Sequence, residues 1–291
     1  MDDRTIIIAE IGECWNGDTK QAERLMNAAA EAGCDYVKFQ TLDRESIRGD
    51  DPEREWFLKI ALSDEIIAYF ISYANAKKIK PLFTPANLSK AKLLKEKFNL
   101  DEVKIASSVF YNEAAVKYIA QNYKRVFLST GMSSLEEVRR AVRHFDGKDN
   151  ELYILHCVSE YPTGPLLESR GLSPLNEQDA HLNMMVMLRE VFPQHKIGYS
   201  DHTAGLLAPV CAVAAGAAVI EKHITLDRKK PRELYENGKG YLGTDHILSL
   251  EPDELKEMVS QIRRVEKIFG EKTWNRTEGE KALRNFLIGR F

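Results

Sequence analysis

Apolar positions along the chain fall into two alternating rhythms. Short runs rich in β-branched and aromatic residues read as strands: TIIIAE (Thr5 to Glu10), YVKFQ (Tyr36 to Gln40), PLFT (Pro81 to Thr84), VKIAS (Val103 to Ser107), VFLST (Val126 to Thr130), LYILHC (Leu152 to Cys157), KIGYS (Lys196 to Ser200) and VIEKH (Val219 to His223). Between them lie segments with helical spacing. TKQAERLMNAAAEAG stops at Gly33, and SSLEEVRRAVRHF has Ser133 or Ser134 as its cap with Glu136 or Glu137 in the first turn. A last helix, EPDELKEMVSQIRRVEKIFG, carries Pro252 in its first turn and stops at Gly270. Strands alternating with helices imply parallel strands joined by crossovers, and eight such units are what a TIM (β/α)8 barrel requires. A doubly wound open sheet is the alternative. It usually carries a Gly-rich first crossover, and GECWNGD lacks the G-x-G-x-x-G spacing. Two long connections, Ser159 to Asp179 and Asp227 to Asp245, follow strands and so belong on the catalytic face.

Composition narrows the class. The 291 residues suit one large single-core domain. A net charge of −3, with 29% charged residues, carries neither a basic nucleic-acid footprint nor an acidic tail. Small-molecule chemistry is favoured. Cys14, Cys34, Cys157 and Cys211 are scattered without a C-x-x-C pair and read as reduced. The start, MDDRTIIIAE, lacks the basic residues and long apolar core of a signal peptide, and no run approaches the roughly 18 apolar residues of a membrane span. The expectation is a soluble, cytoplasmic protein with no membrane or nucleic-acid partner.

The strand runs end in chemically capable residues, above all KIGYSDH and VIEKH, and barrels place their sites at such strand mouths. Strand period 2 puts Glu221 and His223 on one face with Lys222 on the other, and Ser200 with His202 on a shared face. Two imidazoles near an acidic side chain can hold a divalent metal while leaving positions for water and substrate; hydrogen-bonded core histidines are the alternative. Lys38 and Lys104 sit mid-strand, where burial of an ammonium is costly unless it meets an anion. Gln40 shares the face of Lys38. With Thr84, Ser107, Ser129 and Thr130 they make a ring of cations and hydroxyls suited to a phosphate and a carboxylate. The alternatives are lysines that project outward to solvent, or a Schiff-base lysine. Glu10 closes the first strand as a general base or an orienting group, or else as a salt-bridging acid at the mouth. His156, Cys157, Trp15, Trp56 and Trp274 read as packing residues.

Taken in order, AEIG followed by NGD, VKFQ, FTP, KIAS, LSTGM, LHCVSEYPT, GYSDHT, VIEKHITLDR, GTDH and SLEPDEL resemble the sialic acid synthase (N-acetylneuraminate synthase) family, from Thr5 to about Gly270. The resemblance implies a TIM barrel that condenses phosphoenolpyruvate with an N-acetylmannosamine-like or related aldehyde sugar, giving a 2-keto-3-deoxy sugar acid and phosphate. It further implies that His202 and His223 bind Mn²⁺ or Mg²⁺, which polarises the aldehyde for attack by C3 of phosphoenolpyruvate. Lys38, Thr84, Lys104, Ser107, Ser129, Ser159 and Ser200 would hold phosphoenolpyruvate, with Gln40 beside them; Tyr161, Glu221 and Asp245 would contact the sugar. Glu10 would orient or deprotonate the attacking water, and with Lys38 and Lys104 forms the expected catalytic set. A homodimer is also implied.

Residues 1–270 are expected to be the synthase barrel and 271–291 a tail ending near where the family's antifreeze-like domain begins. Three departures stand out. The family usually reads I-N-H-N-G after the first strand, where this chain reads ECWNG with Cys14 and Trp15. The stretch from Asp227 to Asp245 is longer than usual. Its Arg228 or Arg232 is expected to replace an arginine that the further domain contributes to the sugar. Competing readings are a Schiff-base pyruvate aldolase or lyase, and a sugar-phosphate binding barrel without turnover.

Overall fold

A computed structural model describes residues 4–51, 53–160, 175–228, 244–270 and 273–290. Its strands are β1 (Ile6–Glu10), β2 (Tyr36–Thr41), β3 (Lys80–Pro85), β4 (Glu102–Ile105), β5 (Arg125–Ser129), β6 (Glu151–Cys157), β7 (Lys196–Asp201) and β8 (Val219–His223). They are the eight runs read from the sequence, displaced by a residue or two at their ends. All pair in parallel, in the order β3-β2-β1-β8-β7-β6-β5-β4. The two end strands, β3 and β4, pack against each other and bring the sheet to near closure as a barrel.

The helices are α1 (Thr19–Ala32), α2 (Arg54–Lys59), α3 (Asp64–Ala76), α4 (Leu88–Glu96), α5 (Glu113–Asn122), α6 (Leu135–Val142), α7 (Leu182–Val191), α8 (Leu207–Ala214), α9 (Thr244–Leu248), α10 (Pro252–Phe269) and α11 (Glu278–Leu287). Their ends follow local chemistry. Asp18 accepts from the Lys20 amide at the start of α1, which stops at Gly33 in the left-handed region, where a side chain would be strained. Ser134 and Glu137 form a capping box on α6. Glu251 and Glu254 form another on α10, with Pro252 in its first turn.

Alternation along the strands sorts side chains into an outer core and an interior. The outer faces, such as Ile7, Ala9, Val37, Phe39 and Phe83, pack with the helices into one large cluster. Inside, the barrel is filled in three layers. The bottom layer is a polar belt: Lys80 and Arg125 donate to Glu102 at 3.0 and 3.2 Å, and Arg125 and Lys196 each donate to Glu151 at 2.7 Å. The middle layer is apolar, built from Ile8, Tyr36, Leu82, Phe127, Tyr153, Leu155 and Val219. Gly198 belongs there because a Cβ would fall 2.7 Å from the Val219 carbonyl oxygen. The top layer is polar again.

One sequence expectation fails outside the barrel. Trp274 does not pack but is fully exposed, because it lies in the segment beyond α10 that makes no core. That segment also holds a helix, α11, none of whose residues is buried. Trp15 and Trp56 do pack, Trp15 edge-on to Phe70 at 5.6 Å. No helix among the described residues is long and apolar enough to cross a membrane.

Candidate active site

The apolar middle layer forms the floor of a cavity of about 260 Å³ at the C-terminal mouth of the strands. Its wall includes Glu10, Lys38, Gln40, Thr84, Lys104, Ser107, Ser129, Ser159, Ser200, Glu221 and the two histidines. Both lysines point inward and are buried, which disposes of the outward alternative. Each meets a carboxylate. Lys38 pairs with Glu10 and donates to Thr84 Oγ1 at 3.0 Å. Lys104 Nζ and Ser200 Oγ donate to Glu221 Oε1 at 2.9 and 2.8 Å, and Glu221 Oε2 lies 3.6 Å from Lys38 Nζ.

Burial and charge push these groups apart. Burial lifts the Glu10 carboxyl above the usual range against the pull of Lys38. Burial acts the same way on Glu221, but there Lys104 and Lys38 together hold the carboxyl well below it. Burial draws the Lys104 ammonium down despite Glu221; at Lys38 it is outweighed by Glu10 and Glu221, which raise the pKa. A lowered lysine is what a Schiff-base enzyme needs, yet Lys104 is committed to a hydrogen bond with the Glu221 carboxylate.

Hydroxyls complete the anion end. Ser107 Oγ accepts from the Gly131 amide at 3.0 Å, and a Cβ at Gly131 would fall 2.0 Å from Ser159 Oγ, so only glycine lets the β5 loop close over both serines. Ser159 Oγ lies 3.5 Å from Cys157 Sγ. Ser129 Oγ is buried without a hydrogen-bond partner among the described residues. Thr130, expected in the same ring, turns away: it donates to the Leu155 carbonyl at 3.2 Å and lines a separate hollow of about 420 Å³. Strand period 2 makes that unavoidable once Ser129 faces inward. The hollow is larger, but its wall is mainly apolar, with Met132, Leu135, Val138, Met184, Met187 and Leu188, so the smaller, more polar cavity is the candidate site.

In the same wall, the rings of His202 and His223 lie 5.5 Å apart. Burial holds His202 down to about 4 and His223 well below the ordinary histidine value, so both are neutral near pH 7. His202 Nδ1 donates to the Val158 carbonyl at 3.0 Å, which leaves the Nε2 lone pair as the ring's ligand atom. His223 Nδ1 has no hydrogen-bond partner among the described residues and lies 3.6 Å from Asp245 Oδ2. Two neutral imidazoles with such atoms fit a divalent cation. Among the described residues no group of three or more His, Cys, Asp or Glu is gathered for a metal.

Sequence reasoning missed what holds Asp245. Glu13, buried in the β1 loop, accepts from the Asp245 amide at 3.2 Å through Oε1 and from Trp56 Nε1 at 3.2 Å through Oε2. The Glu13 amide donates back to Asp245 Oδ2 at 3.3 Å. Cys14 sits 3.6 Å from Ser249 Oγ, and His246 contacts Thr225 Oγ1 at 2.7 Å. The ECWNG departure thus builds a buried latch between the β1 loop and α9. Tyr161 and Arg232 lie outside the described residues. Arg228 is bound to Glu254 through both guanidinium ends, at 2.6 and 2.8 Å. His156 packs as expected, stacked on Tyr199 at 5.6 Å.

A near-closed parallel barrel with two ammonium groups, hydroxyls and paired neutral imidazoles at its strand mouths is that of an enzyme acting on a small anionic substrate and a second, polarised partner. The chain belongs to the NeuB family, whose model matches residues 25–274. It is 34% identical to the N,N'-diacetyllegionaminic acid synthase of Campylobacter jejuni, over 98% of this chain and 83% of that one. It is 38% identical to an uncharacterized protein of Methanocaldococcus jannaschii, over 91% of this chain and 72% of that one. Among solved structures, N-acetylneuraminic acid (sialic acid) synthetase of Leptospira borgpetersenii matches with a TM-score of 0.83 at 30% identity, covering 97% of this chain and 91% of that chain. The resemblance read from the strand-end motifs is borne out.

Proposed function

We propose that this chain condenses phosphoenolpyruvate with an N-acylated aldehyde sugar, releasing phosphate and forming a 2-keto-3-deoxy sugar acid. The observation that carries the proposal is one cavity whose wall holds two buried lysines, several hydroxyls and a pair of neutral imidazoles. In this mechanism Lys38 and Lys104, with Thr84, Ser107, Ser129, Ser159 and Ser200, bind the phosphate and carboxylate of phosphoenolpyruvate; Gln40 borders them. C3 of phosphoenolpyruvate forms the new bond to the aldehyde carbon, water adds at C2, and the C2–O bond to phosphate breaks.

Glu10, with its raised pKa and an Oε1 without a hydrogen-bond partner among the described residues, takes the proton of that water. Glu221 stays ionised and fixes the Lys104 ammonium. His202 and His223 would hold Mn²⁺ or Mg²⁺, which when bound supplies Lewis-acid polarisation of the sugar carbonyl. Asp245, braced by Glu13, lies beside His223, and it would contact the sugar together with Glu221 and Tyr161. The chemistry is assigned to the barrel of residues 1–270, acting in the cytoplasm, in keeping with four free cysteines. The chain works as a homodimer, for which the exposed Leu283, Phe286 and Leu287 on α11 offer apolar surface.

The test uses phosphoenolpyruvate with ¹⁸O at its bridging oxygen, Mn²⁺, and N-acetylated and N,N'-diacetylated aldohexoses. The expected result is label in the released phosphate and a product with the combined mass of the sugar and pyruvate. A product of combined mass formed from pyruvate instead would replace the synthase with an aldolase.

A further inference from the structure

β7 and β8 carry a second charged pair on the side facing away from the cavity. Asp201 and Lys222 are register partners, both wholly buried, with Nζ and Oδ2 2.6 Å apart. The Lys222 ammonium also donates to the Thr203 carbonyl. Asp201 Oδ1 accepts from the Tyr199 hydroxyl at 2.8 Å, the Thr203 amide at 3.0 Å and the Thr203 hydroxyl at 2.9 Å.

The placement of these bonds matters more than their number. The parallel ladder between the two strands ends at the Asp201–Lys222 pair, so His202 lies one residue beyond sheet support. Lys222 takes over there: its side chain grips the chain at residue 201 and at residue 203, on either side of His202. Its own backbone runs directly into His223, the other imidazole. On the far side, the Val158 carbonyl holds the His202 ring. One ammonium therefore ties together the two chain segments on which the imidazoles hang.

Stability does not explain the pair. Removing two charges from water is expensive, and an apolar pair of similar volume commonly holds neighbouring strands as well or better. What an apolar pair cannot supply is directed bonds to a carboxylate and a carbonyl flanking one residue. We propose that Lys222 and Asp201 are positioning residues, a clamp that fixes the separation of the His202 and His223 rings and thereby sets affinity for a divalent cation. The proposal rests on the metal reading of the two histidines given above.

The test is Mn²⁺ binding to the full, metal-free chain without substrate, read by electron paramagnetic resonance of free Mn²⁺, alongside thermal melting. Lys222→Met alone would strand a buried carboxylate, so the main variant is Asp201→Asn with Lys222→Met, which leaves neither charge. It is expected to melt close to the wild-type temperature yet bind Mn²⁺ at least about tenfold more weakly, the size of effect seen when the support behind metal ligands is lost. Tyr199→Phe removes one donor to Asp201 and is expected to weaken binding by a smaller factor, which keeps the question measurable if the double variant does not fold. Unchanged Mn²⁺ affinity in either folded variant overturns the clamp while leaving the metal reading intact. No Mn²⁺ binding by the wild-type chain overturns both.

Discussion

Glu10 and Glu221 share one cavity, and their surroundings drive them in opposite directions, which is the usual way a site assigns different tasks to like groups. Burial raises the Glu10 carboxyl above the usual carboxylate range, which makes it the more basic of the two; two lysines keep Glu221 ionised. Glu10→Gln preserves size but cannot accept the proton. It is expected to lower kcat by about 10²- to 10⁴-fold with little change in the KM for phosphoenolpyruvate, measured by steady-state phosphate release. A comparable rise in that KM with kcat intact would make Glu10 a binding residue instead. Much of this end was legible in the sequence, because a lysine in the middle of a strand must find an anion. The Glu13–Trp56–Asp245 latch was not: its members are separated by 43 and 232 residues, and no periodicity marks such a meeting. Nothing in the sequence sets Glu13 apart from other loop acids.

The strands do two jobs at their two ends. At the bottom, Glu151 is lifted by burial but pulled further the other way by Lys196, Tyr153 and Arg125, which leaves it depressed to about 2. A carboxyl whose folded pKa is depressed stabilises the fold above its unfolded value of roughly 4.3, and that contribution is lost as pH falls toward the folded value. Wild type is therefore expected to exceed Glu151→Gln in stability by a constant margin above about pH 5, a margin that shrinks between roughly pH 4.3 and 2. Urea denaturation across that range checks it; a margin independent of pH would show the belt to be irrelevant. Strand positions were readable because each is an apolar run ending at a polar mouth, with errors confined to the ends: β4 stops at Ile105, and Ser107 belongs to the turn. The exposed α11 was not foreseen, since its spacing and capping box make a helix without any partner to bury it.

At the scale of the molecule, near closure of the barrel brings β1, β2, β4, β7 and β8 to one mouth, so residues on strands as far apart in the sheet as Lys104 and Glu221 become neighbours. Fold class followed from eight strand–helix units, but the pairing of lysines with carboxylates needed the closed arrangement to be seen. The same mouth gathers the lysines, the hydroxyls and the imidazoles around a cavity of about 260 Å³. If the chain is a metal-dependent synthase, neither the cations nor the imidazoles suffice alone. The most direct measurement is phosphate release from phosphoenolpyruvate by the full chain, with and without an aldehyde sugar from the N-acetylated series, before and after a chelator. Release that requires both the sugar and Mn²⁺, stops with chelator and returns with added Mn²⁺ is the expected result. Condensation of pyruvate that survives the chelator and is trapped on a lysine by borohydride would contradict it.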